Sequence, residues 1–206
     1  MIIRKILSLL FLGLAVTSAA SEKQTDGFEY EDMEALSRKW RISGTGFKEP
    51  VKIRLNEKEA LKGKRCLELI LPPSTKYGAR LTLDVNPDVK AEDIAQIRLG
   101  LRVDRPELTG RCGTYWSDEG FKNYSVCYWN IRNEKDWQKI YISKRSFGKE
   151  RGNPVWSAGS LMRISFWISA NQPENRILLD EIEWDIKEEK APLLLNREWW
   201  DYPGVQ

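Results

Sequence analysis

The 206-residue chain contains no histidine, and that absence is the first constraint on its chemistry. Histidine is the commonest general acid–base near neutral pH and a frequent metal ligand. Without it, Ser-His-Asp and Cys-His catalysis, ordinary zinc hydrolysis and His-based lyase chemistry are excluded together. Carboxylate chemistry survives, because glycoside hydrolysis requires only two carboxyl groups roughly 5–10 Å apart, one with a raised pKa. Asp118, Glu119, Glu134 and Asp136 lie in stretches between apolar runs and close to several aromatic residues. No spacing marks a pair among them, and loop carboxylates are most often simply solvated. Cys66, Cys112 and Cys127 form an odd set. Two states are open: a Cys112–Cys127 bridge across a hairpin with Cys66 a small buried hydrophobe, or three reduced thiols.

The compartment bears on that choice. Arg4 and Lys5 precede an apolar run from Ile6 to Val16, and small residues Ser18-Ala19-Ala20 stand before polar Ser21. This is the three-part pattern of a cleavable signal peptide over residues 1–20, which makes the protein secreted or periplasmic. The apolar run is shorter than the roughly 20 residues a spanning helix needs, so no membrane span is expected after cleavage. Removing Met1–Ala20 from 206 residues leaves 186, one domain of ordinary size. It also removes two basic residues and lowers the net charge from +3 to +1. Polyanion binders usually carry a strong basic excess, so no nucleic acid partner is expected, although local basic patches stay open.

The elements that must position any site are strands. Cys66-Leu67-Glu68-Leu69-Ile70-Leu71 sets Leu67, Leu69 and Leu71 on one face, and Leu81, Leu83 and Val85 alternate with Arg80, Thr82 and Asp84. Ile97, Leu99, Leu101 and Val103 alternate with Arg98, Gly100 and Arg102; Met162, Ile164, Phe166 and Ile168 alternate with Arg163, Ser165, Trp167 and Ser169. Period-two patterns of this kind are strands with one core face and one wet face. Turn signals separate them at Pro72-Pro73-Ser74, Asn86-Pro87-Asp88, Asp118-Glu119-Gly120, Arg151-Gly152-Asn153-Pro154 and Asn171-Gln172-Pro173. Further strands are expected near Phe28–Asp32, Trp40–Ser43, Val51–Asn56, Arg111–Trp116, Tyr124–Ile131, Gln138–Ser143 and Ile177–Trp184, with short helical pieces at Met33–Arg38 and Ala91–Ala95. The fold class is therefore all-β, a two-sheet antiparallel β-sandwich over residues 27–186. Beyond it, residues 187–206 pass through Lys187-Glu188-Glu189-Lys190 into an apolar tail containing Trp199 and Trp200. That tail is too apolar for an idle disordered segment. It packs back on the domain, docks a protein partner through residues 193–206, or begins a further domain.

Phe28-Glu29-Tyr30-Glu31-Asp32 at the start of this pattern and Ile177-Leu178-Leu179-Asp180-Glu181-Ile182 at its end carry a family likeness. Between them stand Asp136-Trp137-Gln138-Lys139-Ile140-Tyr141-Ile142 and Pro154-Val155-Trp156-Ser157. In this order the chain resembles the jelly-roll carbohydrate-binding modules and their galactose-binding-like relatives, from about Phe28 to Ile186. The resemblance implies burial of Trp137 and a structural calcium shared by acidic residues on the first and last strands. The matching positions are Glu29 and Asp180. Calcium takes six to eight oxygens, which two carboxylates and nearby backbone carbonyls would supply; the alternative is two solvated or lysine-paired carboxylates at strand ends.

Nine tryptophans are more than a core of this size requires. Sugar rings stack their C–H faces on exposed aromatic planes, so the wet aromatics matter most. If Cys112 and Cys127 face one way, Trp116 and Trp129 share their core face, leaving Tyr115, Tyr124 and Tyr128 on the other. Trp167 likewise falls opposite in phase to its core neighbours, while Trp156 and Trp184 read as structural. The expected carbohydrate-binding site is a platform of Tyr115, Tyr124, Tyr128 and Trp167, with Arg98 and Arg102 as polar clamps for hydroxyl, uronate or sulfate groups. The competing arrangement has Trp199 and Trp200 cover Trp167 as a second small core. The leading function is non-catalytic binding of a polysaccharide or glycan. The alternatives are an envelope structural or assembly protein docking through the tail, and a carboxylate-dependent glycoside hydrolase or lyase.

Overall fold

The computed structural model describes residues 23–75, 78–87, 89–118, 120–151 and 161–186, with backbone alone for 149–151. The expected signal peptide, the tail with Trp199 and Trp200, and Trp156 lie outside the described residues. In chain order the elements are β1 (Lys23–Asp26), α1 (Met33–Lys39), β2 (Trp40–Thr45), β3 (Lys52–Asn56), β4 (Cys66–Leu71) and β5 (Ala79–Val85). There follow β6 (Gln96–Val103), β7 (Thr109–Ser117), β8 (Tyr124–Trp129), β9 (Gln138–Ser143), β10 (Gly148–Arg151), β11 (Leu161–Ile168) and β12 (Asn175–Asp185). The first sheet has the order β3-β4-β12-β6-β9, with β1 also pairing β12; the second has the order β10-β8-β7-β11-β5-β2. All of these pairings are antiparallel. The expected two-sheet β-sandwich is the observed fold.

Alternation places the core as the sequence implies. Leu67, Leu69, Leu71, Ile97, Leu99, Leu101 and Val103 of the first sheet are buried in one cluster with Leu81, Leu83, Val85, Ile164, Phe166 and Trp129 of the second. Each such side chain contributes about 1.5–3 kcal/mol when fully buried. Strand β12 departs from simple alternation. Ile177 and Leu179 face the core, and so do Ile182 and Trp184, an odd step that needs one extra residue. A bulge between Asp180 and Glu183 supplies it, and Glu181 takes φ +49° there, a conformation uncommon for a non-glycine residue. Trp137, expected in the core, is only half-buried, because it precedes β9 and lies outside the ladder.

The strand expected at Phe28–Asp32 is not formed. Pairing with β12 instead uses Lys23–Asp26, ahead of the expected boundary at residue 27. Asp26 stops the strand: its Oδ1 accepts from the Phe28 backbone N–H at 3.0 Å. Its Oδ2 accepts from the Tyr30 hydroxyl at 2.5 Å and from Trp40 Nε1 at 2.8 Å. Phe28, at φ +56°, swings into the core against Trp40, ring centroids 5.5 Å apart. Asp32 then caps α1 by accepting from the Ala35 N–H at 2.8 Å. Asp26→Ala would leave the buried indole N–H and the backbone N–H of Phe28 without an acceptor. The expected cost is about 2–3 kcal/mol, read as a lower urea midpoint at unchanged slope.

Candidate functional site

The site is built on the outer face of the second sheet. In the β7–β8 ladder Cys112 lies opposite Trp129, Thr114 opposite Cys127 and Trp116 opposite Ser125. These side chains fill the core face, and Trp129 Nε1 donates to Thr114 Oγ1 at 3.1 Å. The intervening residues, Gly113 opposite Tyr128, Tyr115 opposite Val126 and Ser117 opposite Tyr124, must therefore face outward. Strand β11 adds Trp167 to the same surface. Tyr115 is the hub. Its ring centroid lies 5.6 Å from that of Tyr124, 6.3 Å from Tyr128 and 6.2 Å from Trp167. Tyr128 and Trp167 are 6.0 Å apart. Tilted and edge-on pairs at these separations contribute about 0.5–1.5 kcal/mol each beyond their buried area. The four aromatic residues expected to form a platform are thus together.

Local features hold the rings. Gly113 makes room for them: a Cβ there would stand 3.2 Å from both Trp167 and Tyr128 ring atoms. Phe121, missed in the sequence because it sits in a turn, completes the cluster at 6.0 Å from Tyr115 and 5.8 Å from Tyr124. The turn is tied by Asp118, whose carboxylate accepts from the Lys122 N–H at 2.8 Å, the Asn123 N–H at 3.0 Å and Asn123 Nδ2 at 2.8 Å. Tyr115 is only 8% exposed, and burial pushes its hydroxyl pKa up. Tyr124, Tyr128 and Trp167 are half-exposed.

Arg98 and Arg102 do not join this surface. Both lie on β6, in the first sheet, and alternation reveals a strand's wet face without revealing which sheet it enters. Arg98 pairs with Glu183 at 3.0 Å and Asp185 at 2.7 Å; Arg102 pairs with Glu59 at 3.2 Å. The guanidinium groups beside the aromatic cluster are others. Arg111 lies 3.2 Å over the Tyr128 ring and Arg163 lies 3.8 Å over that of Phe121. Arg163 also bonds Asp84 through Nε at 2.5 Å and Nη2 at 2.9 Å. Burial alone would raise the Asp84 carboxyl, yet hydrogen bonds from Arg163 and Arg41 outweigh it and hold the pKa below the ordinary value.

Glu29 and Asp180 both clasp the loop that joins β3 to β4. Asp180 has no exposed surface. Its Oδ2 accepts from the Leu61 N–H at 2.8 Å and the Lys62 N–H at 3.1 Å, and Oδ1 accepts from the Glu181 N–H at 2.8 Å. Glu29 Oε1 accepts from the Lys64 N–H at 2.5 Å and the Arg65 N–H at 3.0 Å. These N–H donors meet both oxygens of Asp180 and Oε1 of Glu29, so the two carboxylates act as a clasp on the loop. Among the described residues no group of three His, Cys, Asp or Glu side chains could hold a metal ion. The cysteines are all free and buried. Cys112 and Cys127 occupy diagonal positions, each opposite another residue, so the bridge weighed for them is not formed. Burial pushes the Cys66 and Cys127 thiols up to about 12.

No family model matches the sequence, and no curated protein matches it. Solved structures do match. A family 11 carbohydrate-binding module from Clostridium thermocellum, in complex with a β-1,3-1,4-mixed-linked tetrasaccharide, aligns with TM-score 0.53 at 14% identity, over 81% of this chain and 96% of that one. The family 11 module of the cellulosomal cellulase Lic26A-Cel5E of Clostridium thermocellum aligns with TM-score 0.54 at 13% identity, over 84% of this chain and 100% of that one. The solution structure of CtCBM11 aligns with TM-score 0.55 at 15% identity, over 84% and 99% of the two chains. The chain therefore has the fold of the β-sandwich carbohydrate-binding modules, as the sequence resemblance implied.

Burial lifts the Asp180 carboxyl from 3.8 to about 6, against the pull of its three N–H partners. Because the folded value lies above the unfolded one, its stabilising contribution is full below about pH 4 and lost as pH rises through 6. At about 1.4 kcal/mol per unit, the loss is roughly 3 kcal/mol. Unfolding free energies of the wild type and Asp180→Asn at pH 4 and pH 7 check this: the variant lacks that decline, and equal slopes would disprove it. The thermal midpoint is expected to be the same with calcium and with chelator.

Proposed function

We propose that this protein is an exported, non-catalytic carbohydrate-binding sandwich that takes a polysaccharide or glycan on the aromatic face of its second sheet. The observation that carries the reading is the convergence of Tyr115, Tyr124, Tyr128 and Trp167 on one outer sheet face, with Trp167 half-exposed at its flank. Aromatic rings held rigid by one another lose little entropy when a sugar ring stacks on them, and the fringe hydroxyls and guanidinium groups meet its polar edge. The fold likeness supports the same class, since the aligned family 11 module is one in complex with a tetrasaccharide. Support for a non-catalytic role is local. Among the strand residues whose side chains are described, Asp84 is the carboxylate of this face, and two arginines hold its pKa below the ordinary value. A hydrolase acid needs the opposite, a raised pKa beside a second carboxylate. Export follows from the signal pattern of residues 1–20.

Affinity electrophoresis through gels containing a range of neutral and acidic polysaccharides tests the reading. The wild type is expected to be retarded by at least one of them. Trp167→Ala should weaken that binding about 30-fold, the loss typical of an aromatic anchor, and Trp167→Phe should restore part of it. Free migration in every gel, by a folded wild type, would remove the proposal.

A further inference from the structure

The two outer sheet faces differ in how their arginines are used. On the first sheet each guanidinium meets carboxylates: Arg54 with Glu68, Arg98 with Glu183 and Asp185, Arg102 with Glu59, Arg176 with Asp104 and Glu59. On the second, Arg41 and Arg163 share the single carboxylate of Asp84. Arg80 and Arg111 have no carboxylate partner among the described residues, and both are exposed. Their positions follow from the ladder. Arg80 lies directly opposite Trp167, and its charge reaches the Tyr115 hydroxyl, where it partly opposes the effect of burial. Arg111 stands beside a bulge where β7 carries one extra residue against Phe166–Ile168. That bulge aims it across the Tyr128 ring. A guanidinium over a ring face makes no hydrogen bond to it, and its N–H donors match a carboxylate or sulfate in two-point contact.

Resting on the carbohydrate-binding reading, we propose that the ligand is an anionic glycan, a uronate- or sulfate-bearing polysaccharide. Its ring face stacks on Trp167, while Arg80 and Arg111, the latter held over the Tyr128 ring, take its acidic groups. The net charge of the whole chain, +3, gives no general attraction to polyanions. The selectivity therefore lies in two exposed arginines that flank the rings.

Retardation is compared in gels containing alginate, dextran sulfate, uncharged dextran and mixed-linkage β-glucan, with a labelled single-stranded oligothymidylate as a separate probe. The expected result is stronger retardation by alginate, dextran sulfate or both, falling as salt screens the exposed charges; which of the two binds identifies carboxylate or sulfate as the anion. Arg80→Gln and Arg111→Gln should each weaken it about tenfold. Lys139→Gln, an equal loss of charge on the exposed side of β9, should leave it unchanged. Retardation by the neutral glucans alone, sensitive to Trp167→Ala and not to the arginine variants, would overturn this inference and leave the carbohydrate-binding reading intact. Binding of the oligothymidylate as tight as that of the acidic glycans would overturn it in favour of a general polyanion site. No retardation in any gel would defeat both.

Discussion

Asp180 is a carboxylate without exposed surface in the middle of a sheet, and much of the molecule is arranged around that fact. Burying such a group is tolerable only when N–H donors replace its water. Three backbone N–H groups do so, two of them from the loop between β3 and β4. The bulge at Asp180–Glu183 lets β12 hold the carboxylate and still return Ile182 and Trp184 to the core. In exchange the loop is folded down on the first sheet. A Cβ on Gly100 would stand 2.6 Å from Leu61 Cδ2, so glycine there leaves room for the Leu61 side chain to lie against the sheet.

That loop settles what the first sheet's outer face can do. Leu178, Cys66 and Glu68, which alternation alone would leave wet, have no exposed surface. Asn56 Oδ1 accepts from the Lys58 and Glu59 N–H groups and starts the turn, while Glu59 takes Arg102 and Arg176. A buried Glu68 keeps its charge because the hydrogen bonds from Arg54, Asn56 and Arg176 outweigh burial, which by itself would raise its pKa. The arginines of this face are thus structural, each paired with a carboxylate, and Glu68 and Asp185 among those carboxylates are buried.

The second sheet is left with the opposite balance. Among the described residues its outer face carries aromatic rings and few carboxylates. Three local features keep the rings together on one face: the missing side chain at Gly113, the extra residue in β7 beside Arg111, and the turn tied by Asp118 that brings Phe121 to Tyr115 and Tyr124. Each removes freedom from a ring or a guanidinium, so the surface is ordered by its own packing.

The alternating residues determined the strands, their inner faces and the outward phase of Tyr115, Tyr124, Tyr128 and Trp167, because side-chain direction in a strand is a local property with period two. Gln138–Ser143 and the hairpin phase of Cys112, Trp116, Cys127 and Trp129 were legible for that reason. Which strands share a sheet is decided by long-range pairing, and no local pattern encodes it. Arg98 and Arg102 on one side and Arg80 and Arg111 on the other read alike in the sequence. Only the tertiary structure put the first pair among carboxylates and the second beside the rings. The same holds for Glu29 and Asp180: two acidic residues at the ends of the domain are legible, but the backbone N–H groups that meet them depend on where the β3–β4 loop comes to rest, 119 residues from Asp180 and 35 from Glu29 in the sequence.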